Sequence, residues 1–309
     1  MIRSVIEPPS SVLIGTASVG IRSVLIFSVF FCSLLAGQTT PLLIRCDDIG
    51  MCHTVNMAFE KVAETGIPVS ASVMFACPWY QEAVDLLKRY PRVSVGIHLT
   101  LNAEWKNYRW GPVAGAQTVP SLVDSCGHFF PSRSRLFDNK PTMRDFEVEL
   151  RAQIKRAFDS GLTIDYFDYH MGAAVQTPEL KSLVERLASE YKVGISRWFG
   201  EKDIRGAYAV TPSLKWDTLK SQLDVQLLSV PQLLVFHIGM ETEEMNALVD
   251  LNTFGLAGMS KHRKAELDIA TSSEFRKTLV DRQFKLVTYR EWIQRTGLSS
   301  MIRPPESDY

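Results

Sequence analysis

Short apolar runs alternate with longer amphipathic segments through most of the chain after residue 40. The runs at 41–46, 69–76 and 93–101 are rich in apolar residues, which is typical of strands buried in a sheet. The segments at 53–66 and 79–90 instead repeat apolar residues at helical spacing. Strands separated by helices predict parallel pairing, with the helices packed outside the sheet.

The same alternation continues in the second half of the chain. Further strands are predicted at 163–170, 192–196, 232–239 and from 284, and further helices at 141–161, 177–191, 216–228 and 262–272. About seven such units predict an α/β fold, namely a (β/α) barrel of about seven parallel strands that is distorted or incompletely closed. Residues 102–142 lack a long periodic segment, and so long an irregular stretch is usually a functional loop. We therefore expect one barrel domain over 41–296, followed by a C-terminal tail over 297–309.

The first 40 residues differ from the rest of the chain. Segment 23–37 is apolar and uncharged, follows Arg22 and ends in small residues, which is the layout of a secretory signal peptide. It is shorter than the ~20 residues that a membrane-spanning helix needs. Two alternatives stay open: an uncleaved membrane anchor over about 10–37, in which Arg22 would be costly, and a misassigned start codon. We expect an exported protein, periplasmic or extracellular, that touches a membrane only through this segment.

Composition and charge narrow the function only slightly. The 309 residues include 34 Lys and Arg against 34 Asp and Glu, so the formal net charge is zero. No basic patch indicates a nucleic-acid partner, and none is expected. The five cysteines contain no Cys-x-x-Cys pair, so the spacing does not support a zinc knuckle and assigns no disulfide.

Acidic and imidazole side chains recur at the ends of four predicted strands. They are Asp47, Asp48, His98, Asp168, His170 and His237. Because the carboxyl ends of parallel barrel strands converge on one face, these groups can assemble a metal site with an open position for water. Each residue alone has a simpler interpretation. Asp47 or Asp48 can cap the helix at 53–64, and a single histidine is more often a hydrogen-bonded structural residue.

The irregular segment after His98 carries several aromatic residues. Trp105, Tyr108 and Trp110 have rings that can stack on the apolar faces of sugars, and Arg109 can reach hydroxyl groups or a phosphate. We therefore expect these four residues to bind substrate. The alternative is a loop that folds on its own aromatic cluster.

Four ordered motifs resemble those of one enzyme family. They are CDDIGMCHTVNMAF at 46–59, GIHLTL at 96–101, DYHMGAAVQTPEL at 168–180 and HIGM at 237–240. Together they resemble the YdjC-like (ChbG-type) carbohydrate deacetylases, over about residues 41–294. Three positions depart from that family's pattern: Gly172 where many members have a second histidine, Cys46 where a small residue is usual, and Ile238 where proline is common.

The resemblance implies a distorted (β/α) barrel that removes the acetyl group of an N-acetylated sugar with a divalent metal ion. It implies Asp48, His98 and His170 as metal ligands, Asp47 as general base and His237 as candidate general acid. It also places Asn56 and Asp168 among the expected substrate-binding residues. A donor set of two histidines and one aspartate favours zinc, while Mg²⁺ prefers more oxygen ligands, and the metal stays open between the two.

The leading hypothesis is therefore a hydrolase that deacetylates an N-acetylglucosamine-containing oligosaccharide or glycoconjugate by metal-activated water. Two alternatives remain: a metal-dependent phosphoesterase or amidohydrolase on the same barrel, and a catalytically inactive, exported glycan-binding protein. The expected partner is an acetylated sugar, and a homodimer stays open.

Overall fold

A computed structural model describes residues 39–204, 207–224 and 230–305. The predicted signal peptide or membrane anchor falls outside these residues. Among the helices that are described, none is long and apolar enough to cross a membrane.

The described residues form one sheet of eight strands, in which every strand pair is parallel. The strands are β1 Thr40–Ile49, β2 Ser70–Val73, β3 Ser94–Leu99, β4 Ile164–Tyr169, β5 Gly194–Ile195, β6 Lys202–Asp203, β7 Gln232–Phe236 and β8 Phe284–Val287. The predicted α/β fold with parallel strands is confirmed.

The order of the strands produces a curled half-barrel. Seven strands follow the path β5-β4-β3-β2-β1-β7-β6, and β8 pairs with β1 beside this path. Strand β1 is long enough to take successive partners along its length, with Thr40–Leu43 against β8 and Arg45–Ile49 against β2. The end strands β5 and β6 do not pair with each other within the described residues, so hydrogen bonding leaves the barrel open.

Helices connect most of the strands. They are α1 His53–Glu64, α2 Tyr80–Arg89, α3 Arg133–Asp138, α4 Met143–Asp159, α5 Pro178–Tyr191, α6 Lys215–Gln222, α7 Glu243–Asn246, α8 Met259–Thr271, α9 Ser273–Asp281 and α10 Tyr289–Thr296. Side-chain caps fix several starts. The hydroxyl of Thr177 accepts a hydrogen bond from the backbone N–H of Leu180, and Pro178 occupies the first helical position.

Strand β1 is longer than its apolar run predicts. The prediction ended the strand at Cys46, whereas the strand continues to Ile49 and is buried along its whole length. Asp47 and Asp48 therefore lie inside a buried strand rather than after it. The pair consequently needs compensating partners within the protein, since a buried carboxylate that lacks them is very costly.

Candidate functional site

A cleft with a cavity volume of about 460 Å³ opens at the carboxyl ends of the central strands. This size is typical of sites for small molecules. Five of the residues predicted from strand ends line it: Asp47, Asp48, His98, His170 and His237. Strands β1, β3, β4 and β7 bring these residues together, although they are far apart in the sequence.

An interruption in β1 lets two adjacent aspartates face the same cleft. Neighbouring side chains in a regular strand point to opposite faces of the sheet. Here the register with β2 shifts between Cys46 and Ile49, and Asp48 has a left-handed backbone with φ 63°. Left-handed backbone is uncommon for residues other than glycine, and such strain tends to occur at functional sites.

Asp48 lies at the centre of a group of candidate metal ligands. Its Oδ2 accepts a hydrogen bond of 2.6 Å from Nη2 of Arg263. Its Oδ1 lies 3.4 Å from Nε2 of His98 and 3.3 Å from Nδ1 of His170. Oδ1 is buried, and neither contact has hydrogen-bond geometry. It therefore has no hydrogen-bond partner among the described residues. One atom from each of these three residues lies within 4.8 Å of the other two, close enough to hold a metal ion.

Asp47 is held by a guanidinium group from its own strand. Arg45 donates to both carboxylate oxygens, with Nε 2.6 Å from Oδ1 and Nη2 2.8 Å from Oδ2. Burial alone would raise the pKa of Asp47, but the charge and hydrogen bonds of Arg45, together with the charges of His98 and His237, hold that pKa below its usual range. Asp47 is therefore ionised at neutral pH. His237 also lies near this carboxylate, with Nε2 3.9 Å from Oδ2.

Asp168 contacts a histidine instead of the cleft. Its Oδ1 lies 2.7 Å from Nδ1 of His98, on the ring edge opposite the one that faces Asp48. Its Oδ2 forms an ion pair of 3.0 Å with Nε of Arg45. Burial lowers the pKa of His98, but the charges of Asp168 and Asp47 outweigh it and raise that pKa to about 10.

His170 also has a carboxylate partner, which the sequence analysis missed. Oε2 of Glu104 lies 3.0 Å from Nε2 of His170, and Glu104 is only 4% exposed. Burial lowers the pKa of His170, but the charge of Glu104 and a contact with Asp48 raise it to about 9. The only local signal for Glu104 was its place in the loop that follows β3.

The buried charges of the site fit a divalent cation. Four carboxylates, those of Asp47, Asp48, Glu104 and Asp168, surround two guanidinium groups, those of Arg45 and Arg263. The raised pKa values of His98 and His170 keep both rings protonated at neutral pH, so four negative and four positive charges balance. A divalent ion that displaces the two ring protons would keep this balance. A second group of candidate ligands, Asp47, His98 and Asp168, also lies within 4.8 Å. Arg45 already pairs with both of its carboxylates, so the group around the unpartnered Oδ1 of Asp48 fits a cation better.

Comparison with known proteins identifies the family of the chain. Residues 41–281 match the family model described as YdjC-like protein. The chain belongs to this family. A protein named carbohydrate deacetylase from Brevibacillus brevis is 29% identical over 255 residues, which cover 81% of this chain and 98% of that protein. Another of the same name, from Enterococcus faecalis, is 25% identical over 264 residues, covering 80% and 96%.

A solved structure supports the fold. The crystal structure titled as a putative cellobiose-phosphate cleavage protein from Enterococcus faecalis V583 superposes with a TM-score of 0.67. It is 21% identical, and the match covers 82% of this chain and 99% of that one. The match of residues 41–281 to the family model confirms the predicted family membership. The roles predicted for the individual site residues stay predictions.

The predicted aromatic platform folds mostly on itself. Among the six residues predicted to bind substrate, only Trp105 lines the cleft, where its ring centre lies 5.9 Å from Cζ of Arg263. Tyr108 donates a hydrogen bond of 2.5 Å to the carbonyl of Met51, and Arg109 donates one of 2.6 Å to Asp124. Trp110 is buried, and its ring forms a T-shaped contact with that of His170. The geometry therefore favours the alternative, a loop that packs around its own side chains.

Asn56 is likewise placed away from the cleft. It is fully buried in α1, where its Oδ1 accepts a hydrogen bond of 2.8 Å from the backbone N–H of Gly50. Its Nδ2 donates one of 2.8 Å to Glu82. Gly50 directly follows the last residue of β1 and has φ 85°. Its hydrogen bond with Asn56 therefore fixes the turn at the end of this strand. Asn56 is therefore not placed to contact a sugar in the cleft.

The helix-cap interpretation of the aspartates is wrong. The residue before α1 is Cys52, whose side chain makes no cap hydrogen bond. The carboxylates of Asp47 and Asp48 are engaged by Arg45 and Arg263 instead.

The side chain of Arg133 occupies the space beside Gly172. Its φ is 73°, and a Cβ added there would lie 3.1 Å from Nη1 of Arg133. Arg133 lines the cleft and donates from the same nitrogen to Gln176. A histidine at position 172 would therefore require Arg133 to move, and in this chain a guanidinium group stands at that edge of the cleft.

We expect Asp48→Asn to weaken binding of Zn²⁺ by more than about 100-fold, because it neutralises the carboxylate between the two imidazoles. Loss of an outer partner of a ligand typically costs 10- to 100-fold in metal affinity, and loss of a ligand should cost more. Isothermal titration of the metal-free protein measures this. Asp159→Asn, which alters an exposed aspartate paired with Lys155 on α4, is the matched control and should bind as the unaltered chain does. Equal affinities for the two variants would contradict the assignment.

Proposed function

We propose that this protein is a metal-dependent carbohydrate deacetylase that hydrolyses the N-acetyl group of a sugar such as an N-acetylglucosamine-containing oligosaccharide or glycoconjugate. The observation that carries the proposal is the buried, unpartnered Oδ1 of Asp48, which faces one nitrogen of His98 and one of His170 in the cleft. The names of the relatives support a deacetylase, and the donor set supports a divalent ion, with zinc preferred over magnesium.

Asp47 is suited to act as the general base. A divalent ion at the site, when bound, lowers the pKa of a coordinated water toward about 7 and polarises the acetyl carbonyl. Arg45 keeps Asp47 ionised and fixes both carboxylate oxygens at the cleft. Asp47 takes a proton from the attacking water, and the adjacent Asp48 is left free to serve as a ligand.

His237 is suited to act as the general acid. Its side chain lines the cleft and is 27% exposed, and its ring centre lies 5.0 Å from that of Tyr208 in a T-shaped arrangement. Its backbone N–H donates a hydrogen bond of 2.7 Å to Glu266, which in turn pairs with the fully buried Lys215. This ion pair fixes the position of His237, from which it can protonate the departing amine nitrogen.

Two exposed aromatic rings at the mouth of the cleft are the candidates for sugar contacts. Tyr208 is 40% exposed and Phe254 is 67% exposed, and both line the cleft. Large exposed apolar side chains beside a cleft often mark a binding surface. We propose that these rings contact the apolar faces of the sugar in place of Trp105 and Trp110, which are 1% and 4% exposed.

The two competing functions predict different products. A glycan-binding protein without activity does not need an ionised carboxylate beside a histidine. Asp47 and His237 form such a pair, which favours an enzyme over a binding protein. A phosphoesterase would release phosphate from a sugar phosphate, whereas a deacetylase releases acetate. Acetate release from a panel of N-acetyl sugars therefore separates the three possibilities.

We expect Asp47→Asn to lower kcat for acetate release by about 10²- to 10⁴-fold, because proton transfer by a positioned base contributes that much. Its metal content should stay equal to that of the unaltered chain, since Asp48, His98 and His170 are retained. Asp203→Asn, at an exposed aspartate paired with Arg197, serves as the control. Acetate release from Asp47→Asn within a few-fold of the control would rule out the proposed base.

We expect Phe254→Ala to raise KM for N-acetylglucosamine oligomers about tenfold with little change in kcat, since losing a well-placed aromatic contact costs on the order of 1 kcal/mol. Phe254→Tyr should keep KM close to its original value. The control is Phe158→Ala on α4, which removes a ring of 38% exposure outside the cleft. If Phe254→Ala instead lowered kcat at constant KM, the ring would not be a sugar-binding surface.

A further inference from the structure

We infer that Glu104 is a positioning residue, which orients the imidazole of His170 for metal binding. The inference rests on the proposed metal centre and adds to it a residue outside the ligand set. Glu104 is buried at the cleft, and neither the motifs nor the proposed reaction assigns it a role.

The contact of Glu104 is on the far edge of the His170 ring. Oε2 of Glu104 lies 3.0 Å from Nε2, whereas Nδ1 is the nitrogen that faces Oδ1 of Asp48 at 3.3 Å. A carboxylate that accepts the Nε2 proton fixes the tautomer in which Nδ1 carries the free lone pair. Glu104 thereby directs the lone pair of His170 toward the place where Asp48 leaves an oxygen without a hydrogen-bond partner among the described residues.

The other imidazole has the same arrangement with its nitrogens exchanged. Asp168 lies 2.7 Å from Nδ1 of His98, and Nε2 of His98 faces Asp48. Each candidate histidine ligand therefore has a buried carboxylate behind it and Asp48 in front of it. Metal-binding histidines usually have such a partner, and its loss typically costs 10- to 100-fold in metal affinity.

Glu104 is held in place by its backbone. Its carbonyl accepts a hydrogen bond of 2.8 Å from Leu251, and the following residues form a short antiparallel bridge between Trp105 and Asp250. The backbone N–H of Ala103, on the other side, donates to Phe130 at 3.0 Å. The irregular segment is thus fixed where it carries the carboxylate, as expected for a group that must orient another side chain.

Titration of the metal-free protein with Co²⁺, followed by visible absorption, tests this inference. Glu104→Gln keeps the size of the side chain but removes its charge, and we expect Co²⁺ affinity to fall 10- to 100-fold. At saturating Co²⁺ the kcat for acetate release should stay within a few-fold of the unaltered chain. If Glu104→Gln does not fold, Glu104→Asp takes its place and should also bind more weakly, because its carboxylate no longer reaches Nε2.

The matched control is Glu149→Gln. Glu149 is another fully buried glutamate, but its partners are the backbone N–H groups of Val113 and Ala114 and the side-chain amide of Gln153. We expect this variant to lower the melting temperature without changing Co²⁺ affinity, which separates a loss of stability from a loss of ligand orientation.

Three outcomes would overturn the positioning role. Unchanged Co²⁺ affinity in Glu104→Gln would show that the contact is incidental. A fall beyond about 1,000-fold, more than an outer partner contributes, would make Glu104 a ligand. Unchanged affinity with a large loss of kcat would make it a catalytic group. If the unaltered chain binds no Co²⁺, the proposed metal centre itself fails, so the two failures are distinguishable.

Discussion

The pairing of Asp47 with Arg45 and of Asp48 with Arg263 allows two adjacent carboxylates to be buried in one strand. Both contacts are short and almost fully shielded from solvent. Removing one partner of such a pair would leave an uncompensated buried charge, which is strongly destabilising. Two guanidinium groups do not balance four buried carboxylates, and the protonated rings of His98 and His170 supply the remaining positive charge. A divalent ion that displaces these two protons would keep the balance, which makes it the natural occupant of the site.

The shape of β1 turns this charge balance into a division of roles. A regular strand would send Asp47 and Asp48 to opposite faces of the sheet. The shift in register after Cys46 and the left-handed backbone of Asp48 bring both to the cleft, where each has a different guanidinium partner. Arg45 engages both oxygens of Asp47, whereas Arg263 engages only one oxygen of Asp48. The remaining oxygen of Asp48 is therefore available to a cation, and Asp47 is available as a base.

The sequence predicted those features that depend on local pattern. Strand and helix periodicity gives the parallel fold, and the fold places strand ends together, so Asp47, His98, His170 and His237 could be recognised as neighbours. Arg263 and Glu104 could not be recognised in this way. Their contacts with Asp48 and His170 join segments that are distant in the sequence, and the local pattern of one segment does not indicate contact with the other. Aromatic content was misleading for a related reason, since composition does not say whether a ring such as Trp110 faces solvent or core.

The central claim is that one divalent ion binds between Asp48, His98 and His170. Anomalous diffraction from crystals of the zinc-loaded protein tests it most directly. The account predicts one strong peak at about 2.0–2.2 Å from Oδ1 of Asp48, Nε2 of His98 and Nδ1 of His170. A peak between Asp47 and Asp168, or no peak in the cleft at saturating zinc, would contradict it.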